Sequence, residues 1–251
     1  MKGMALNRPQ RMFLSRSAGA QVITPEPPAP EVWSTSYVTA TTATTYVEDG
    51  SDPYNEDVTY GHITCDLTGM AEDDIIVIFC PWVAQNGPTL PSYLGELQNA
   101  DAVYLNWMTA YLACFGVKKL TAADLASPPQ VPVAGNIASS AYVRTWAYRG
   151  PGSGVIKETS ITNDGITTLT FAEFMKNANH RGLMSFIFCR DGPTSDPTQP
   201  SGHTSRARIT TNNLTLEAAD LLDGSYDEAS FQWTGATSLY SRFGAVVEFV
   251  K

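Results

Sequence analysis

From Trp33 onward, apolar and β-branched residues occur in short runs separated by Gly, Pro, Asn and Asp. Runs of this kind predict β-strands joined by turns. Where polar and apolar residues alternate, as they do from His62 to Leu67, a strand places one set on each face. Three short segments predict helices instead, at 121–126, 171–178 and 216–222. The predicted strands are 33–47, 62–67, 75–80, 101–117, 140–148, 158–162, 166–171, 184–189, 205–211, 230–233 and 243–250.

Two of these runs are almost continuously apolar and resemble each other. The run at 75–80 ends in Ile-Phe-Cys, and the same three residues end the run at 184–189. Each run is followed by Gly-Pro-Thr and then by Pro-Ser. A continuous apolar run predicts a strand covered on both faces, so we interpret the pair as two copies of one buried strand. Cys80 and Cys189 are then expected to be buried and unreactive, with a disulfide or a catalytic cysteine as the alternatives.

The spacing of strands and turns predicts an all-β fold, an antiparallel β-sandwich of jelly-roll character. Asn163-Asp164-Gly165 is a hairpin signal between the runs on either side of it. Residues 1–32 differ from the rest because they show no sustained period and end in the Pro-rich stretch 25–30. Such a stretch favours extended polyproline II structure. We therefore predict an extended N-terminal arm with a Pro-rich linker at 1–32 and one β-sandwich domain at 33–251.

Charge is distributed unevenly along the chain. The net charge is −9, but residues 1–24 carry four bases and no acid, a charge of +4. The remainder has 12 bases and 25 acids, or −13, which does not suit the phosphates of nucleic acid. No run approaches the roughly 20 apolar residues of a membrane span. We expect neither nucleic acid nor membrane as a partner.

The same first residues bear on the compartment. They lack the apolar core of a secretory signal, although an acid-free start with several arginines also fits an organelle transit peptide loosely. We therefore expect synthesis in a reducing compartment, where free thiols are the rule. This expectation covers Cys65, Cys80, Cys114 and Cys189.

Few residue patterns indicate chemistry. His62, His180 and His203 share no metal-binding spacing, and the chain has no phosphate-binding or nucleophile motif. We predict no catalytic residue, metal or cofactor and do not expect an enzyme. The five carboxylates within 48–57 form either a solvated acidic loop or a calcium site.

One strand carries aromatic residues on a single face. Tyr142, Arg144, Trp146 and Tyr148 alternate along the run at 140–148. If exposed, they would form a platform on which sugar rings stack, and if buried they would pack between sheets. A carbohydrate- or receptor-binding module, such as a tail or fibre adhesin for a host-surface glycan, is therefore the alternative function.

Several motifs resemble the β-sandwich structural proteins of tailed-bacteriophage virions, which include capsid-surface, collar and tail components. The first is Asp73-Asp74 before the apolar run, with Pro91-Ser92 after it, and the second copy is followed by Pro200-Ser201-Gly202. A later strand ends in Tyr148-Arg149-Gly150. Tyr93-Leu94 and His203 depart from the Gly-Trp and Trp of that pattern. The resemblance covers about 60–251 and implies a virion location, with capsid decoration as the expected role.

The arm lies outside that resemblance and suggests its own partner. Its arginines can pair with carboxylates of another protein, and three apolar residues between two of them could fill a groove. We expect it to bind other virion proteins and the protein to form a homo-oligomer within the particle. The expected contacts are Arg8, Arg11, Met12, Phe13, Leu14 and Arg16.

Overall fold

A computed structural model of the chain describes residues 35–52, 55–84, 101–107, 111–134, 141–162, 168–172, 180–190, 197–211, 214–222, 230–234 and 242–250. These residues form 15 strands and one short helix, and every strand pair is antiparallel. The fold is therefore all-β, as predicted. The jelly-roll connectivity stays a prediction.

The first eight strands are β1 (Ser36–Ala43), β2 (Tyr46–Asp52), β3 (Asn55–Thr64), β4 (Ile75–Ala84), β5 (Asp101–Trp107), β6 (Tyr111–Lys119), β7 (Gln130–Ala134) and β8 (Val143–Arg149). The remaining seven are β9 (Ser153–Thr162), β10 (Thr168–Ala172), β11 (His180–Arg190), β12 (Thr204–Thr211), β13 (Leu214–Leu221), β14 (Ser230–Thr234) and β15 (Arg242–Val250). Helix α1 (Ala122–Ala126) follows β6. It begins with a capping box, in which Thr121 and Asp124 each bond the backbone N–H of the other.

Four sheets contain all of these strands. The first inner sheet has the order β1-β8-β4-β6-β5, and the second inner sheet has the order β12-β13-β11-β15-β9. The outer sheet is β2-β3-β7, and the outer ribbon is β10-β14. We call β1–β8 the first half of the domain and β9–β15 the second half, and each sheet lies entirely within one half.

The two inner sheets pack face to face across a shared core. Ile75, Val77 and Phe79 of β4 meet Met184, Phe186 and Phe188 of β11, and all six are buried. Aromatic rings dominate the contact, with Phe79 and Phe186 at 5.0 Å between centroids and Phe115 and Phe186 at 4.8 Å. Burying rings of this size gives the interface most of its hydrophobic stabilisation.

Each inner sheet is also covered on its other face. Ile76, Ile78 and Cys80 of β4 pack with Ile63 and Val131 of the outer sheet. In the second half, Leu183, Ile187 and Cys189 of β11 pack with residues of the outer ribbon, including Phe171 and Trp233. The two continuous apolar runs are thus central strands buried on both faces, which confirms that prediction.

The two halves repeat one topology. In both inner sheets, the central strand (β4 or β11) pairs on one side with the strand two places later and on the other with the strand four places later. The edges match as well, β5 with β12 and β1 with β9. Strands β3 and β7 of the outer sheet correspond to β10 and β14, which pair in the same way. The repeat seen in the sequence as one strand and its loop therefore extends over seven strands.

Strand registers show which residues are equivalent. Val77 lies opposite Val117 and Trp146, and Phe186 lies opposite Ala218 and Ala245. Val77 and Phe186 therefore hold the same place in their sheets. Two residues further along each strand, Phe79 is equivalent to Phe188, and two residues before, Ile75 is equivalent to Met184. Seven equivalent pairs built on these registers all belong to the shared core: Ile75/Met184, Val77/Phe186, Phe79/Phe188, Phe115/Leu216, Val117/Ala218, Trp146/Ala245 and Tyr148/Val247.

Several local predictions differ from the structure. In the described part, the strand predicted at 33–47 falls in β1 and β2, and the strand predicted at 101–117 falls in β5 and β6. The helix predicted at 216–222 is wrong, because 216–221 lie in β13, where Leu216 and Ala218 face the shared core and Ala219 and Leu221 face the outer ribbon. The hairpin predicted around Asn163-Asp164-Gly165 is wrong, because β9 pairs with β15 and β10 pairs with β14. The helix predicted at 171–178 starts within β10, and 173–179 lie outside the described residues.

Internal contacts divide the chain into Met1–Val32 and Trp33–Lys251, and every described residue belongs to the second unit. The predicted arm, its boundary and its Pro-rich linker lie outside the described residues and stay predictions. The described part of the chain has no helix long and apolar enough to cross a membrane.

Candidate functional site at the edge between the two inner sheets

The aromatic face predicted as a sugar platform lies inside the protein. Tyr142, Trp146 and Tyr148 do share one face with Arg144, but the second inner sheet covers that face. Trp146 and Tyr148 are fully buried, and Tyr142 is 5% exposed. The glycan-platform interpretation of these rings is therefore wrong, and the alternative that they pack between sheets is correct.

Arg144 is the one member of that set that is partly exposed. Its guanidinium lies 5.8 Å from the centroid of the Trp146 ring, and its Nη1 donates a hydrogen bond to Thr42 Oγ1 at 2.6 Å. Burial lowers the pKa of Arg144. The residue thus covers the end of the aromatic core and links β8 to β1.

Tyr148 belongs to a group of polar residues that the sequence did not bring together. Tyr37 on β1 contacts it edge to face, with 5.7 Å between ring centroids. Arg206 on β12 lies 4.3 Å from the centroid of the Tyr37 ring, and its Nε donates to Asp220 Oδ2 on β13 at 2.6 Å. We call Tyr37, Tyr148, Arg206 and Asp220 the edge cluster. It joins the first inner sheet to the second where β1 and β12 form their edges.

Local backbone structure explains the geometry. The pairing of β12 with β13 shifts register between Ser205 and Ala207, so that Arg206 is the extra residue of a bulge. A bulge redirects the side chain of its extra residue, here toward Asp220. Asp220 itself follows Leu216 and Ala218 at intervals of two, so its side chain shares their inner face.

Burial dominates the electrostatics of the edge cluster. Asp220 is 1% exposed, and burial raises the pKa of its carboxyl even though Arg206 favours the charged form. The pKa of Tyr148 is raised well above its usual value by burial and, to a smaller extent, by the negative charge of Asp220. The phenol therefore stays protonated at neutral pH and is a poor nucleophile. The ion pair holds Arg206 within the second inner sheet, and the cation–π contact with Tyr37 joins it to the edge of the first.

A second ion pair, between a buried carboxylate and an exposed guanidinium, explains two of the motif residues. Asp74, which precedes β4, is fully buried and accepts two hydrogen bonds from Arg149 at the end of β8, from Nε at 2.7 Å and from Nη2 at 2.8 Å. Its Oδ2 also accepts the backbone N–H of Ala71. A bidentate pair of this geometry holds the start of β4 to the end of the neighbouring strand β8.

Within the predicted acidic loop at 48–57, the described residues 48–52 and 55–57 lie in β2 and β3, which pair with each other. Asp49 Oδ2 lies 2.8 Å from His62 Nδ1 on the adjacent strand. Among the described residues, no three His, Cys, Asp or Glu side chains are grouped so that they could hold a metal ion. The side chains of 51–58 lie outside the described part, so a calcium site there stays untested.

The other predicted contacts cannot be placed. Arg8, Arg11, Met12, Phe13, Leu14 and Arg16 lie outside the described residues. Sequence reasoning missed Tyr37, Arg206 and Asp220. A usable signal existed for Asp220: in a strand, it is an acid on the apolar face formed by Leu216 and Ala218. The helix predicted at 216–222 hides this alternation.

Comparison with known proteins adds no family: no family model, no curated protein and no solved structure matches the chain.

Proposed function

We propose that this protein is a structural component of a tailed-phage virion, a β-sandwich displayed on the particle surface as capsid decoration and anchored by its N-terminal arm. The observation that carries the proposal is the pairing of buried carboxylates with bases of the same chain. Four buried carboxylates in the described part of the chain pair with bases on neighbouring segments: Asp74 with Arg149, Asp124 with Lys118, Glu217 with Arg208 and Asp220 with Arg206. Charges arranged in this way serve the fold, as expected of a protein whose role is architectural.

Two further observations support the proposal. Asp74 and Arg149, which belong to the motifs that resemble those of virion β-sandwich proteins, form one ion pair. The charge of +4 in residues 1–24 contrasts with −13 in the remainder, which suits an arm and a body that face different surroundings. The alternative role in glycan binding has lost the aromatic face on which it was based.

The test starts with virions of the phage whose genome encodes the chain. An antibody against the body should detect the protein in particles purified through a density gradient, at a constant copy number per particle. If the protein is missing from such particles, the virion proposal is wrong.

The second step tests the anchor. A variant lacking residues 2–24 should keep the melting temperature of the full chain but should not join particles that lack the wild-type protein. Matched variants separate charge from geometry. Replacing Arg8, Arg11 and Arg16 by Gln removes charge, whereas Lys keeps the charge and loses bidentate pairing. Wild-type incorporation of the shortened protein would refute anchoring by the arm and leave the virion location standing.

A further inference from the structure

The contact between the two halves has the features of an interface between subunits. Within the described residues, every strand pair joins two strands of the same half, so no hydrogen-bonded strand pair crosses from one half to the other. Each half also has a core of its own, between the first inner sheet and the outer sheet and between the second inner sheet and the outer ribbon. The third core, which contains Phe79 and Phe188, lies between the halves.

The covalent link between the halves is short. Strand β8 ends at Arg149, and β9 begins at Ser153, so Gly150-Pro151-Gly152 is the whole connection. Pro151 is exposed. Nothing in the strand pairing depends on this link, because β8 and β9 belong to different sheets.

We infer that the inner faces of the two halves form a binding interface of the kind found between subunits, so that the halves associate without the covalent link and exchange between two copies of the chain. The partner of the first half is then the second half, from its own chain or from another copy. Interfaces of obligate dimers resemble a domain core cut in two, and exchange of identical elements between copies is an accessible route to dimers. The inference is independent of the proposed virion role.

The edge cluster explains why unlike halves pair. Tyr37 and Tyr148 come from the first half, whereas Arg206 and Asp220 come from the second. The position equivalent to Tyr148 is Val247 in the second half. Tyr37 pairs with Tyr148, and Ile156 pairs with Val247, so Ile156 holds the position equivalent to Tyr37. Two second halves would therefore place aliphatic side chains where Tyr148 lies near Asp220 and where the Tyr37 ring lies against Arg206. The Arg206–Asp220 pair would remain, but it would lose the two aromatic rings that contact it, which disfavours that arrangement.

The test uses the full chain with a protease site inserted after Pro151. Before cleavage, the variant should match the wild type in its circular dichroism spectrum and melting temperature, which shows that the insertion is tolerated. After cleavage, both fragments should elute together at the mass of the full chain. Separation or precipitation of the fragments on cleavage, with the uncut variant folded, would overturn the inference.

Exchange is measured by mixing. One batch of cleaved protein carries ¹⁵N and the other does not, and both are unfolded in denaturant, mixed and refolded. Native mass spectrometry should detect complexes that contain a labelled first half and an unlabelled second half. Failure of the fragments to recombine, under conditions in which the uncut chain refolds, would equally overturn the inference.

A matched pair of substitutions locates the interface. Phe79 contacts Phe186 and Phe188 of the other half, whereas the adjacent Ile78 packs only within the core of its own half. In cleaved protein, Phe79→Leu should weaken association of the fragments by about tenfold, and Ile78→Val by less than about threefold. The reverse order would show that the inner faces do not carry the binding.

Discussion

The rings of Phe79 and Phe188 occupy equivalent positions in the two halves and lie in contact, with 5.4 Å between centroids and 55° between planes. Equivalent residues meet each other only near an axis that relates the two copies. Their contact therefore marks the centre of a core built from two matching sheets. The same residues were equivalent in the sequence, as the middle members of two Ile-Phe-Cys endings.

Truncation of Phe79 should cost much of the domain's stability. Phe79→Ala removes a fully buried ring from the shared core and should lower the free energy of unfolding by about 3–5 kcal/mol. Denaturant titration followed by tryptophan fluorescence measures the change. Val47→Ala is the control, because Val47 is 46% exposed and should change stability by no more than about 0.5 kcal/mol. Equal effects of the two substitutions would contradict the placement of β4.

Loss of Arg206 should be more harmful than loss of an exposed base. Arg206→Met leaves the buried Asp220 without its partner and should lower the free energy of unfolding by about 1–3 kcal/mol. The double variant Arg206→Met/Asp220→Leu should recover most of that loss, because no buried charge is left unpaired. Lys119→Met is the control, since Lys119 pairs with an exposed Asp73 and such pairs contribute about 0–1 kcal/mol. A double variant no more stable than the single one would argue against the pair.

Stability should fall as pH falls through the range governed by His203. Burial lowers the pKa of His203 from its ordinary 6.5 to about 4. Between these values the unfolded chain binds a proton that the folded protein does not, so its contribution is complete above pH 6.5 and is lost as pH approaches 4. Denaturant midpoints at several pH values should therefore decrease across this window, and His203→Gln should flatten the decrease. An unchanged slope in the variant would assign the pH dependence to other groups.

The described cysteines should be inert in the folded protein. Cys65, Cys80 and Cys189 are buried, and burial raises the pKa of the Cys65 thiol to about 12, so its reactive thiolate is scarce. A thiol reagent should label these cysteines slowly in the native protein. It should label all of them at once after denaturation without a reductant. Rapid labelling of the native protein would contradict this prediction. So would an intact mass that is lower by two hydrogens for each disulfide formed.

Some features could be predicted because local pattern is sufficient for them. A strand with apolar residues on both sides, such as Ile75–Cys80, is stable only when both faces are covered, so its burial follows from the residues alone. The same holds for α1, whose capping box satisfies its first backbone N–H groups locally. The all-β class follows from many such runs, and the repeated Ile-Phe-Cys ending already indicated two copies of one strand.

The remaining features depend on contacts between residues far apart in the chain. Alternation along β8 places Trp146 and Tyr148 on one face of the strand, but it does not determine which face another sheet covers. Local turn residues suggested that β9 and β10 pair, whereas hydrogen bonding with distant strands placed them in different sheets. The edge cluster requires Tyr37 and Asp220, 183 positions apart in the sequence, to meet at one edge. Period and turn chemistry act over a few residues, so strand class and burial are encoded locally. Sheet order depends on pairing between distant strands within each half, and the covered face and the edge cluster arise only when the two halves pack.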